Sequence, residues 1–176
     1  MSKIVGRALT PALLDRLSQR DLAHYLGAAL PLVTLDAAGR PHPMLISYLE
    51  IRAYDAGSVG LVIQAGSDSA RNLGARNVAT LVIVDATIVA YVKLERLDGP
   101  LAVESHLTAT GRQGSSEDAR LAYFMLAVEE VREDAATEEE AGARIVAGPR
   151  YAPVPALDSA WARITLAALA TPRARA

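Results

Sequence analysis

Short apolar segments separated by turns dominate the first half of this chain. The turns between them carry Gly, Pro, Asn or Asp, and the segments are rich in Val, Ile and Leu. Several strands in close succession with tight turns predict an antiparallel barrel or sandwich rather than βαβ units. The predicted strands cover residues 30–36, 42–53, 59–65, 78–84 and 87–97, with Asp85-Ala86 as a bulge or turn between the last two.

A helix is predicted before these strands, over about residues 10–27. Thr10 can cap its N-terminus, Pro11 suits its first position, and Gly27 can end it. The region after the strands is less regular. Residues 98–118 are predicted to be mostly loop because they contain several Gly and Ser residues, and residues 119–135 are compatible with either a helix or a strand.

The C-terminal region, over about residues 137–170, is predicted to be helical. One helix is expected from Glu138 to Val146, and a last one is expected after a cap at Asp158 or Ser159. Trp161 lies on the apolar face of that last helix, where a tryptophan either covers a ligand or, more commonly, packs. The sequence has no internal repeat and no low-complexity linker, which indicates a single domain spanning residues 1–176, with its barrel over about residues 30–133.

Composition excludes several classes of function. The chain has 176 residues, of which 51% are hydrophobic and 22% charged, and its net charge of -2 does not favour binding to nucleic acid or an anionic membrane. Cysteine is absent, and His24, His42 and His106 lack metal-ligand spacing, so we expect no metal site and no obvious axial ligand for haem. Without a signal peptide or an apolar run of about 20 residues, we expect a cytoplasmic protein.

A polar segment, SDSARNLGARN at residues 67–77, joins two of the predicted strands. It is longer and more polar than a turn requires. If Ser69 begins a short helix, free N–H groups, the hydroxyls of Ser67 and Ser69, and the guanidinium of Arg71 form an anion site suited to a terminal phosphate. The alternative is a surface turn in which Ser69 only caps a helix and Arg71 is solvated.

This order of elements resembles the pyridoxamine 5'-phosphate oxidase-like family of FMN-binding split-barrel proteins. The resemblance is carried by the Gly-Arg-Pro-His-Pro turn, by "SDSARNL" and by "RNVATLVIVD", over about residues 10–97. It extends more loosely over "YFMLAVEEVRED", which it favours as a late barrel strand at about residues 121–133, and over "EEEAGARIVAGPRYAP". In this family a Ser and a basic residue bind the FMN phosphate, and Ser69 and Arg71 match those positions.

The resemblance implies a mainly β fold, an antiparallel split β-barrel of Greek-key type with a few peripheral helices. It also implies a homodimer that holds FMN beside its interface and acts as an oxidoreductase on an unknown small substrate, with no catalytic side chain nominated. The alternatives are the cofactor F420, haem, a non-catalytic flavin carrier, or a cofactor-free dimeric scaffold. The implied cofactor-binding residues are Ile46, Ser47, Gln64, Ala65, Ser67, Ser69, Arg71 and Asn72.

Two departures from the family argue against pyridoxamine phosphate oxidation itself. The second strand, Met44–Leu49, lacks the basic residues that the true oxidase places near the phosphate. The oxidase's basic C-terminal substrate motif is not recognisable in residues 170–176 either. If Arg71 is the only local cation, a second subunit could supply another charge.

Overall fold

Antiparallel strands joined in one sheet form most of the computed structural model, which describes residues 2–97, 101–103, 120–134 and 145–172. The strands in these residues are β1 (Lys3–Gly6), β2 (Ala29–Leu35), β3 (Pro41–Ser47), β4 (Ile51–Ala53), β5 (Ser58–Gln64), β6 (Val78–Val84), β7 (Val89–Arg96), β8 (Leu101–Val103) and β9 (Leu121–Glu133). The helices are α1 (Pro11–Leu17), α2 (Leu22–Tyr25), α3 (Asp68–Arg76) and α4 (Ala160–Ala168).

The strand order is β3-β2-β6-β7-β9-β5-β4, and β1 and β8 also pair with β9. The two ends of this order, β3 and β4, are joined by a turn of three residues, 48–50. The sheet therefore curls until its two end strands meet. The fold is the mainly β, antiparallel split barrel that the sequence predicted, with helices at its periphery.

Alternation along the strands determines which side chains fill the barrel. Leu32 pairs with Leu81, which pairs with Val92 on the next strand, and all three side chains are fully buried. On β9 the pairing register with β7 shifts between Lys93 and Leu94, which is the mark of a β-bulge. Because of this shift, the buried side of β9 passes from Val128 to Val131 rather than to Glu130.

Two predicted elements had wrong boundaries, and one strand was not predicted. The helix expected over residues 10–27 is two short helices, because Gln19 adopts a left-handed backbone conformation with φ of 64°. The Gln19 amide donates hydrogen bonds to the carbonyls of Tyr48 and Ile51, so tertiary contacts hold this break. The strand expected over residues 42–53 is interrupted by the 48–50 turn, and the strand β1, which pairs with β9, was not predicted at all.

Other predictions were confirmed. Thr10 caps α1, residues 85–87 form a bend between β6 and β7, and the ambiguous segment 121–133 is a strand. Ser159 is the cap of α4. Of the helix expected from Glu138 to Val146, residues 138–144 lie outside the described residues, and residues 145 and 146 are not helical.

Candidate functional site

The first turn of α3 follows directly on the end of β5, at residues 65–67. The helix begins at Asp68, one residue before the start predicted at Ser69, and its N-cap is Ser67. The Ser67 hydroxyl accepts a hydrogen bond from the Ala70 N–H at 3.2 Å, and the Ser67 N–H donates to the Gln64 carbonyl at 3.0 Å. The N–H groups of Asp68 and Ser69 have no acceptor among the described residues, as is normal for a helix start.

Ser69 lies on the buried side of this first turn and is only 2% exposed. Its hydroxyl has no hydrogen-bond partner in the described part of the chain, yet it is not one of the atoms sealed from solvent. A hydroxyl that is enclosed, unpartnered and still reachable is unusual, since buried polar groups generally find a partner. Ser69 is therefore available to a ligand.

Arg71 extends from the same turn on its exposed side. Its Nη1 donates to the Gly66 carbonyl at 2.6 Å, and its Nη2 pairs with the Asp68 carboxylate. The two charged side chains are 63% and 64% exposed, for Arg71 and Asp68 respectively, so the pair itself contributes little stability. The contacts nevertheless hold the guanidinium beside the start of α3.

Asn72 fixes the position of α3 on the barrel rather than pointing outward. Its Nδ2 donates to the Thr34 hydroxyl at 3.0 Å, and that hydroxyl donates to the His42 carbonyl at 3.3 Å. Thr34 is fully buried on β2. This chain of hydrogen bonds ties α3 to β2 and β3, so the predicted ligand residue Asn72 has a structural partner.

Ser47, at the end of β3, is also engaged. Its N–H and its hydroxyl both donate to Oε2 of Glu50, at 2.7 and 2.9 Å, which closes the 48–50 turn. Burial raises the pKa of the Glu50 carboxyl, although the hydrogen bonds from Ser47 oppose this shift. The pKa of the Tyr151 hydroxyl is also raised, mainly by its own burial and secondly by the negative charge of Glu50. Ile46, beside Ser47, is fully buried inside the barrel.

Gln64 and Ala65 are exposed at the end of β5. The Val62 N–H donates to the Glu50 carbonyl at 2.8 Å, so the end of β5 and the 48–50 turn lie at the same end of the barrel. The eight predicted residues thus form two groups. One comprises residues 64–72 around the start of α3, and the other comprises Ile46 and Ser47 with Glu50.

Sequence reasoning missed Glu50 and Asp68, which are the partners of two predicted site residues. Asp68 could have been found, because an acid three residues before an Arg on a helix is a recognised ion-pair spacing. Glu50 could also have been found, because Ser-x-x-Glu is the spacing in which a Glu side chain accepts from the Ser N–H, but this segment was read as continuous strand.

Neither a metal-binding cluster nor a membrane-spanning helix is present in the residues that the structure describes. No group of three or more His, Asp or Glu side chains in these ranges is arranged to hold a metal ion. Within the same ranges, no helix has the length and apolar character needed to cross a bilayer.

Comparison with known proteins gives similarity in structure without similarity in sequence. Neither family models nor curated proteins match this chain. A solved structure from Lactobacillus delbrueckii, provisionally named a pyridoxamine 5'-phosphate oxidase, superposes with a TM-score of 0.51 at 18% identity. The match covers 74% of this chain and 98% of that protein.

Two further solved structures match less closely. An FMN-binding protein from Syntrophomonas wolfei has a TM-score of 0.46 at 10% identity, over 72% of this chain and 91% of its own. An F420 reductase has a TM-score of 0.45 at 12% identity, over 61% and 90%. The likeness to the Lactobacillus protein concerns the fold alone, which in this chain is an antiparallel split barrel.

Proposed function

We propose that this protein binds FMN, with the phosphate at the first turn of α3, and that it is an oxidoreductase acting on a small substrate. The observation that carries the proposal is the reachable, unpartnered hydroxyl of Ser69 in a turn that also presents free N–H groups and a guanidinium. These are the donors that bind a phosphate. A cytoplasmic location is part of the proposal.

The residues of the first turn fit a phosphate group. The N–H groups of Asp68 and Ser69 lie at the positive end of the helix dipole, where an anion is favoured. The Ser69 hydroxyl can donate to a phosphate oxygen, and Arg71 can supply a positive charge. The Ser67 hydroxyl already accepts from the Ala70 N–H, but its own proton remains available to donate.

The isoalloxazine ring is proposed to lie along the end of β5, where Gln64 and Ala65 are exposed. The predicted contacts of the ring with Ile46 and Ser47 are untested. In this structure Ile46 is buried and the Ser47 hydroxyl donates to Glu50. A bound flavin supplies the hydride or electron transfer itself. The side chains named here bind and orient it, and none is proposed as an acid or base.

Replacing Arg71 by Ala tests the phosphate site. The variant loses one charge-assisted contact of about 1.5–3 kcal/mol, so FMN should bind about tenfold or more weakly. The matched control is Arg76→Ala, which removes the same charge from the other end of α3, where Arg76 donates to the Ala37 carbonyl. FMN affinity is measured by calorimetric titration of the purified apoprotein.

Riboflavin, which lacks the phosphate, separates phosphate binding from ring binding. We expect Arg71→Ala to leave riboflavin affinity unchanged. Equal FMN affinity for the parent and Arg71→Ala proteins would show that the guanidinium is a surface group outside the site.

A cofactor-free scaffold is the second candidate. It is favoured by a specific observation, namely that Arg71 and Ser47 already have protein partners in Asp68 and Glu50. The absorption spectrum of the purified protein distinguishes the candidates, because bound FMN, F420 and haem have different bands. A colourless protein that takes up none of the three would support the scaffold.

We also propose a homodimer, formed through a surface that we call the open face. The open face consists of outward side chains on β2, β3 and β6, namely Pro31, Val33, Leu45, Val78 and Val82. Leu45 is 52% exposed and Val78 is 36% exposed. The β3 edge beside them is suited to the end of a sheet, because Pro41 and Pro43 have no N–H to donate. Pairing of two copies would remove this apolar surface from water.

A further inference from the structure

We infer that Asp68 is the resident anion of the first turn of α3, a carboxylate that a phosphate monoester must displace from Arg71 in order to bind. The inference rests on the proposed function and concerns the same site. It assigns to Asp68 the role of setting how tightly, and at what ionic strength, the site takes a phosphate.

The contacts of the turn support this role. Asp68 is the first residue of α3 and Arg71 lies three residues later, so their side chains share one face of the helix. One guanidinium nitrogen is bound by the Asp68 carboxylate, and another donates to the Gly66 carbonyl at 2.6 Å. The positive charge of Arg71 is therefore already neutralised by the protein.

On the opposite side of the same turn, the Ser69 hydroxyl has no such partner in the described part of the chain. The Ser69 hydroxyl is enclosed, lacks a partner among the described residues and is still reachable by solvent. The carboxylate of Asp68 thus provides negative charge at the helix start, but it leaves this donor unused. The Asp68 carboxylate is bound to Arg71 and leaves Ser69 unused, whereas a phosphate is proposed to engage Arg71 through one terminal oxygen and Ser69 through another.

A phosphate that binds here meets the negative charge of Asp68. It must displace the carboxylate from Arg71, and until the carboxylate moves away the two negative charges beside Arg71 repel each other. Both side chains are well exposed, so Asp68 is free to rotate away and its repulsion is screened by salt. The expected result is modest phosphate affinity that Asp68 actively lowers.

Asp68→Asn is the test, because asparagine keeps the size and an acceptor oxygen but removes the charge. We expect the variant to bind FMN about two- to fivefold more tightly than the parent, the range that corresponds to one exposed ion pair. Riboflavin affinity should not change. Asp21→Asn is the matched control, since it removes an equal charge from the start of α2, where Asp21 makes no capping hydrogen bond.

The outcomes separate the inference from the proposed function. If FMN binds the parent and Asp68→Asn equally, or binds the variant more weakly, Asp68 is not a competing anion and the FMN site still stands. If FMN binds neither protein, the proposed function fails, and inorganic phosphate then decides the inference through the Ser69 amide resonance. A phosphate-induced shift of that resonance that is larger in Asp68→Asn supports the inference, and no shift in either protein overturns it.

Discussion

Two outer surfaces of the barrel differ in how they are covered. On one, which we call the covered face, the outward side chains of β5 and β9 lie beneath α4. Val62, Tyr123 and Leu169 are fully buried there. On the open face of β2, β3 and β6, Leu45 and Val78 remain exposed. The same curled sheet thus has one side closed by its own chain and another side that no described helix closes.

The covered face is held by directed contacts as well as by apolar packing. Arg52 Nη1 donates to the carbonyls of Leu169 and Ala170, both at 3.2 Å, which places a cation at the C-terminal end of α4. Gly60 leaves room for the Tyr54 and Leu169 side chains, because a Cβ there would lie 2.7 Å from the Tyr54 hydroxyl oxygen and 3.0 Å from Cδ2 of Leu169. These features specify α4 as the occupant of this face. On the open face only the apolar character is evident, which is why we propose a second copy there.

Leu169→Ala should have the largest effect, because it creates a cavity under α4. A buried Leu→Ala change costs about 2–5 kcal/mol of unfolding free energy. The matched change on the open face, Leu45→Ala, should alter stability by only about 0.5 kcal/mol or less if the protein is monomeric. Urea unfolding of both variants measures the difference, at protein concentrations below and above dimer formation.

Two results with these variants would change the description of the covered and open faces. If Leu169→Ala costs no more than Leu45→Ala, then α4 is not packed on the sheet as described. If Leu45→Ala is costly only at high protein concentration, then the open face is buried by a second copy.

Leu45→Glu tests the homodimer directly. A charge placed in a buried apolar interface costs enough to weaken association about tenfold or more. Sedimentation equilibrium at micromolar concentration should therefore give a dimer for the parent and mostly monomer for the variant. The same monomer content in both proteins would exclude Leu45 from the interface, and a monomeric parent that binds FMN stoichiometrically would refute the dimer and any shared site.

The fold could be predicted from the sequence wherever one face of a strand is buried. Alternation fixed β2, β5 and β6 to within a residue or two, and the caps Thr10 and Ser159 marked helix starts correctly. One of the missed breaks has a tertiary cause and the other a local one. Gln19 turns left-handed because its amide binds the 48–50 turn, and that turn is itself closed by Ser47 and Glu50. The Gln19 contact has no local sequence pattern, whereas Ser47 and Glu50 follow the Ser-x-x-Glu spacing, which was read as continuous strand.

The candidate site was predicted in part for the same reason. The helix start after β5 followed from Ser, Asp and Asn in a polar connection, and the predicted start was one residue too late. Which donors are free could not be predicted, because that depends on partners distant in sequence. Asn72 is bound to Thr34, 38 residues away. Ser69, by contrast, keeps its hydroxyl unpartnered in the described residues because its side chain faces no acceptor there.

The smallest effect is expected next to the open face, where Glu130 pairs with Lys93 and Arg132 on the outer side of β7 and β9. Hydrogen bonds from Arg132 and then Lys93 lower the pKa of the Glu130 carboxyl to about 2, from its ordinary value of 4.5. Because the pKa is lowered in the folded protein, the contribution of this group to stability is present above pH 4.5. It is lost as the pH falls towards 2.

Carbon NMR titration of the Glu130 carboxyl locates the border of the open face. If a second copy covers only the apolar residues, then Lys93, Glu130 and Arg132 stay solvated, and the Glu130 pKa is the same at low and high protein concentration. If the interface extends over Lys93, then burial and new neighbours change that pKa as the dimer forms. Lys93→Met is the internal control, since it should raise the Glu130 pKa at every concentration. A titration near 4.5 in the parent protein would contradict the ion pairs themselves, and this part of the sheet would then carry no fixed charge pattern for a partner to match.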